Sequence, residues 1–326
     1  VCQCIEGCAA AALAIGSFTG VLTAPGIFAA VAVIGAARAF EGPTLQALIP
    51  GLVDEPLVPQ AIALSTSAHQ TAAIAGPAVG GFLYALGVTT PYAVAAALFL
   101  SASFFSGSVR VAHRIPHKEP ATLKSVFSGI HFIRGRPVVL GAISMDLFAV
   151  LLGGATALLP IIASDILHVG AVGYGVLRAA PGIGAAAMAL VLAARPLRRH
   201  IGRSLLVTVA IFGAATVVLG ATTSYAVAFV SLVVLAAADM ISVFIRGSLV
   251  PLVTPDDKRG RVMAVENVFI GASNELGAFE SGIVAQAAGT PATVIGGGIA
   301  TVAIVVVWWL AFPTLRRVDR LEDLGH

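Results

Sequence analysis

A few charged residues of this chain stand inside long apolar stretches, where an ionised group is costly unless it pairs or faces water. Arg38 and Glu41 lie three residues apart in Ile34-Gly35-Ala36-Ala37-Arg38-Ala39-Phe40-Glu41-Gly42. That spacing puts them on one helical face, where each can partly neutralise the other. Asp239 and Arg246 are seven residues apart, again on roughly one face and about 10 Å apart along a helix axis. Asp146, Arg178, Glu275 and Glu280 occupy further apolar stretches. An acid in such surroundings can carry a proton. An arginine can hold an anion or govern a nearby carboxyl. Internal pairing with no further role is the competing reading for each residue taken singly. Glu266 stands close to the start of its apolar stretch and is read as too near the membrane surface to take part.

Elsewhere the sequence offers no metal-ligand cluster, no phosphate-binding loop and no nucleophile spaced to a base. It implies no cofactor, no metal and no enzymatic activity. The seven histidines are mostly in polar connections. Cys2, Cys4 and Cys8 form a Cys-x-Cys-x3-Cys run. With no second group of ligands, they read as small helix residues in a reduced setting. Basic residues are not interleaved with aromatic ones, so the net charge of +3 does not point to nucleic acid. The chain opens on Val1 with no basic region ahead of a cleavage site, so no signal peptide is read.

The elements that must position these charges are dictated by composition. Of 326 residues 58% are hydrophobic and 11% charged, against roughly a quarter charged in soluble domains. Such a chain cannot cover itself with polar surface, so its solvent is lipid. Apolar runs long enough to span a bilayer fall at about 4–21, 26–50, 61–86, 91–109, 138–163, 172–194, 203–222, 225–250, 262–288 and 291–313. The runs are continuous rather than alternating, which excludes membrane strands. The fold class is therefore an all-α membrane protein with about ten transmembrane helices.

Charge placement checks the count. Of 19 Lys and Arg, six lie in 110–136, four in 195–203, three in 258–261 and three in 316–320. With ten helices all four stretches fall on one side, and the opposite loops carry none. By the positive-inside rule that side, with both termini, is cytoplasmic. The expected organisation is an incomplete N-terminal bundle of four helices over 1–110, a cytoplasmic linker over 111–137, a C-terminal six-helix bundle over 138–313 and a cytoplasmic tail over 314–326. Within the linker, Leu123, Val126, Phe127, Ile130 and Ile133 recur at helical spacing and read as an amphipathic helix on the membrane surface.

An internal repeat runs at a fixed offset of 201 residues. Pro50 maps onto Pro251, Glu55 onto Asp256, Ala63 onto Ala264, Gly76 onto Gly277 and Gly81 onto Gly282. Both copies cross the membrane in the same direction, the arrangement of the two halves of major-facilitator transporters. Four helices precede Pro251 in the second half but only two precede Pro50, so the first two of twelve helices are expected to be missing. The offset also maps Arg38 onto Asp239, and the two are expected to face each other across a central cavity.

The motifs then carry a resemblance. Arg38-x-x-Glu41-Gly42 resembles the Arg-x-x-Gln-Gly motif on the fourth helix of major-facilitator drug exporters, with Glu41 in place of Gln and Thr44 in place of a following Gly. In that family the arginine is implicated in proton coupling. Gly76-Pro77-Ala78-Val79-Gly80-Gly81 is similar to the antiporter motif of the fifth helix, with Ala72 in place of an upstream Gly. Its proline bends the helix and its glycines admit a close neighbour. The run Ala193 to Arg203 resembles the second-half copy of the family's signature cytoplasmic loop. Gly202 and Arg203 fit, and Arg199 stands where an Asp is usual. The loop from Pro255 to Met263 resembles that of the enterobactin-exporter-like branch.

This resemblance implies a secondary active transporter of the bacterial inner (plasma) membrane. It would export a small drug- or siderophore-like molecule by alternating access, with protons as the coupling ion and the lipid bilayer as surroundings. Arg38, Glu41, Asp146, Asp239, Arg246 and Glu275 are the candidates for substrate or proton coupling. Gly76, Pro77, Gly80, Gly81, Gly202 and Arg203 are structural. An uptake symporter of the same fold, or a shortened membrane protein that transports nothing, are the alternatives.

Overall fold

The computed structural model describes residues 1–54, 57–109, 130–195, 197 and 199–320, and no strand occurs among them. The helices are α1 Cys2–Thr19, α2 Ala24–Leu52, α3 Val58–Leu86, α4 Thr90–Ser108, α5 Pro137–Leu152, α6 Ala171–Ala194, α7 Ile201–Ala221, α8 Tyr225–Val253, α9 Asp256–Ala288, α10 Thr290–Ala311 and the short α11 Pro313–Arg316. Proline stands in the first turn of α2, α3, α4, α5, α10 and α11. There its missing N–H would be unpaired anyway. α1 ends on Gly20 at φ 71, a left-handed cap that suits glycine.

Among the described residues, eight helices are long and apolar enough to cross a membrane. Ten such helices are expected from the sequence, and the two that differ are α3 and α9. In α3 the apolar part is Ala75–Leu86, and Gln60, Ser65, His69 and Thr71 precede it. α9 carries Glu266, Asn267, Asn274, Glu275, Glu280 and Gln286. Polar side chains in a membrane-embedded helix are retained where they meet protein or water rather than lipid.

The chain forms two compact units, Val1–Glu119 and Pro120–His326. In the first, α1 packs against α2 and α4, and α3 touches both α2 and α4. In the second, α7 packs against α8 and α10, and α9 touches both α8 and α10. The pattern is the same, and so are the bounds: moving α2 (Ala24–Leu52) by 201 residues lands on α8 (Tyr225–Val253). The repeat is therefore a repeat of packing as well as of sequence. α5 and α6 are additional to it in the second unit.

Lipid tails are as apolar as leucine, so these helices are held by close packing rather than by expulsion from water. Gly184 of α6 lies so tightly on the Val233 carbonyl of α8 that a Cβ there would collide with backbone. Gly213 of α7 and Gly298 of α10 face each other: a Cβ on either would stand 2.9 Å or 2.7 Å from the other's carbonyl oxygen. Leu159, Leu177, Leu219 and Leu232 fill one core cluster, and Met145, Leu205, Ile245 and Leu315 another. Phe18, Phe28, Phe104, Leu190 and Leu310 are exposed, as lipid-facing side chains should be.

The span expected as one helix over 138–163 is broken. α5 stops at Gly153, and the chain continues through a 3-10 turn at Ala155–Leu158 and a π turn at Ile162–Ile166. Gly153 and Gly154 have no room for a Cβ, which would press on Phe212 and on the Gly277 carbonyl. The break thus lets α7 and α9 approach α5 closely. Of the linker helix expected over 123–134, only 130–134 is described, and it is helical.

The basic segments of the second unit meet at one end. Lys258 Nζ sits 5.7 Å from the centre of the Phe132 ring, and Arg136 also covers that ring. The tail reaches the loop before α7 through Asp319, which lies 2.8 Å from His200 Nδ1 and 3.7 Å from Arg199 Nε. At the other end the Tyr225 hydroxyl donates to the Gly173 carbonyl at 3.0 Å.

Candidate functional site

The second unit gathers its buried charges around one guanidinium. α8 presents Asp239, Ser242 and Arg246 at intervals of three and four residues, hence along one face. α5 brings Asp146 and α9 brings Glu266. Arg246 Nη2 lies 2.8 Å from Asp146 Oδ1, and Nη1 lies 3.5 Å from Glu266 Oε1. Arg246 Nε donates to the Ser242 hydroxyl at 3.5 Å. All four side chains are buried. A planar fork of donors suits two acceptors at once, and removing either charge type would strand the other in a low-dielectric interior.

Asp239 is placed differently. It is near enough to feel the Arg246 charge, yet its exposure is intermediate. It lines a cavity of about 190 Å³, together with Thr156, Phe212, Thr216 and Asn274. The broken end of α5 at Gly153 and Gly154 forms part of the wall, as does Pro181 inside α6. With every group ionised, three carboxylates around one guanidinium leave two negative charges over.

In the first unit Arg38, besides sharing a helix with Glu41, meets an acid of another helix. Arg38 Nε lies 3.9 Å from Glu6 Oε1 of α1. Glu6 is fully buried, and among the described residues neither of its carboxyl oxygens has a hydrogen-bond donor. The Glu41 carboxyl lies beside it; two acceptors side by side become hydrogen-bonded only when one holds a proton. The Arg38 side chain is 67% exposed.

The tail contact is a third arrangement, outside the apolar spans. The His200 N–H donates to Asp319 Oδ1 at 3.0 Å, the Ile201 N–H to the Asp319 carbonyl at 3.2 Å and the Gly202 N–H to the Val318 carbonyl at 3.0 Å. The tail therefore satisfies the unpaired donors that open α7. The His200 N–H, helped by the His200, Arg199 and Arg320 charges, holds the Asp319 carboxyl below its usual range. A Cβ on Gly202 would collide with the Leu315 carbonyl oxygen.

Of the residues singled out in the sequence, the structure brings Asp146, Asp239 and Arg246 together. Glu275 and Arg203 are exposed. Pro77 lies inside α3. Nothing described comes within 4 Å of a Cβ on Gly76 or Gly80, and Gly81 is buried. Glu266, Ser242, Glu6 and Asp319 were not expected to take part. An acid in an apolar stretch was the available signal for Glu6. Nothing in the sequence ties Asp319 to His200 across 119 residues.

The chain matches the family described as transmembrane secretion effectors over residues 1–323. No curated protein matches it in sequence. Among solved structures it resembles a bacterial homologue of the human lysosomal transporter Spinster, in an inward-facing and unoccupied conformation. The TM-score is 0.64 at 14% identity, over 97% of this chain and 81% of that one. It also resembles a POT family transporter in complex with a thioalcohol-conjugated peptide and one in complex with 5-aminolevulinic acid. Each has a TM-score of 0.64 at 12% identity, over 96% of this chain and 81% of the other. At these identities the likeness shows the fold, which is the all-α major-facilitator fold inferred from the repeat. The chain is a multi-pass membrane transporter that belongs to the transmembrane secretion effector family of the major facilitator superfamily.

Proposed function

We propose that the chain exports a small molecule across the bacterial inner membrane by alternating access, driven by proton entry, with its basic end and both termini on the cytoplasmic side. The observation that carries this reading is the buried cluster of Asp146, Arg246 and Glu266, with Asp239 beside it lining a cavity. Its carboxyls outnumber its guanidinium, so it is suited to exchanging a proton as access alternates. The family's description as secretion effectors favours the outward direction. Arg38, at the repeat position equivalent to Asp239, and Glu41, at that of Ser242, are proposed as the first unit's contribution to coupling.

Everted membrane vesicles test direction and coupling together. With an inside-acid gradient they should accumulate fluorescent efflux dyes, and collapsing the gradient should release them. Asp239→Asn and Arg38→Ala should each slow dye-induced proton movement. Accumulation in right-side-out vesicles instead would make the chain an uptake symporter. Unchanged coupling in both variants would remove these residues from the mechanism.

A further inference from the structure

We propose that the cavity beside Asp239 is a subsite for the cationic head group of an organic amine or quaternary ammonium compound. The inference rests on reading this cluster as the transport site and adds the chemical class of its cargo.

Charge is the first argument. Each of the three kinds of nitrogen of Arg246 is already directed at a partner: Asp146, Glu266 and Ser242. Asp239 has no ion pair or hydrogen bond of its own among the described residues, and it is the acid that lines the cavity. Among the described residues, no basic residue lines the cavity with it. An anion placed there would meet an excess of negative charge in a poorly screened interior. A cation would relieve that excess.

The remaining lining agrees. Asn274 donates its Nδ2 to the Ile270 carbonyl at 2.9 Å, which leaves its Oδ1 free to accept. The Thr216 hydroxyl donates to the Phe212 carbonyl at 2.9 Å, so its lone pairs also remain for a donor. Phe212 supplies an aromatic ring, whose face attracts cations. Asp239, the Thr216 hydroxyl and the Asn274 Oδ1 are thus acceptors, whereas Thr156 can serve either way and Asn274 Nδ2 keeps one N–H. Size narrows the class. A volume of about 190 Å³ lies below the roughly 300–1,000 Å³ of sites that enclose a whole drug-sized ligand. It holds a head group, with the rest of the molecule extending beyond it.

Equilibrium dialysis of the purified chain in detergent, with no gradient, tests this through three probes of similar size: benzyltrimethylammonium, benzyl alcohol and benzoate. The cation should bind, and benzoate should not. Asp239→Asn should weaken cation binding tenfold or more, and Asp239→Glu should weaken it less. Ala278→Leu, which fills the cavity from its wall without changing a charge, should also weaken it. That variant decides the matter if Asp239→Asn unfolds. Benzoate binding as tightly as the cation, no cation binding by the unaltered chain, or cation binding unaffected by Ala278→Leu would each overturn the proposal. Since no gradient or direction enters the measurement, its failure is separate from failure of the export reading, which the vesicle assay decides.

Discussion

Asp146 and Arg246 meet at 2.8 Å between α5 and α8, and they are only 5% and 4% exposed. A pair so enclosed is weak support for stability as such, because both ions have left water. Its importance lies in what each partner would become without the other.

Replacing Arg246 by Leu strands Asp146 and Glu266 together in the interior. The expected cost is about 3–5 kcal/mol, read as a lower thermal unfolding midpoint in detergent. Removing Asp146 as well, by the double change to Leu, should recover part of that loss. A midpoint unmoved by Arg246→Leu would show that the carboxyls do not depend on the guanidinium.

At Gly202 the obstacle is backbone. A methyl group there meets the Leu315 carbonyl oxygen, which cannot swing aside as a side chain could. Gly202→Ala should lift the tail from α7 at a cost of about 1–3 kcal/mol. Faster hydrogen exchange and protease cleavage over 313–320 would report it. Unchanged protection of that segment would mean the contact yields without loss.

Acid should loosen the same contact. The Asp319 carboxyl is held below its ordinary value of 3.8, so its contribution is present above that value and is lost as pH falls through the lower, folded one. Protection of 313–320 against exchange should therefore hold at about pH 6 and fall towards about pH 3. Asp319→Asn should be less protected throughout and lack this dependence. Equal pH profiles for the two would separate the tail contact from Asp319.

Glu6→Gln keeps the shape of a buried side chain whose carboxyl oxygens have no hydrogen-bond donor among the described residues. Its unfolding midpoint should stay level or rise, since a neutral group is easier to enclose than a carboxylate whose arginine partner stands 3.9 Å away and is largely exposed. Arg38→Ala should move stability by no more than about 1 kcal/mol, because the Arg38 side chain is largely exposed and its contact with Glu6 is long. A fall in the Glu6→Gln midpoint as large as that of Arg246→Leu would show that Glu6 has an essential partner.

The helices were legible because lipid demands long apolar runs: 203–222 against Ile201–Ala221 and 291–313 against Thr290–Ala311 differ by a residue or two. The break in the 138–163 run was not, because it depends on what Gly153 and Gly154 approach on α7 and α9 rather than on apolarity. Asp239 and Arg246 could be joined from spacing alone. Glu266 was set aside because its helix was expected to begin at 262. The helix begins at Asp256, so ten residues, or about 15 Å of rise, separate Glu266 from its start. The contact of Arg38 with Glu6 is hidden from the sequence for a related reason. Spacing reveals partners on one helix, but Glu6 stands on another.

The glycine contacts that join α6 to α8 and α7 to α10 set backbone directly against backbone. At these points a main-chain carbonyl limits the approach, although Val217, Thr301 and Val302 also border the α7–α10 seam. A push on α8 is handed to α6 with little damping, and a shift of α7 carries α10 along. Each seam is therefore a place where two helices cannot slide past one another without displacing backbone, which ties α6 to α8 and α7 to α10 pair by pair.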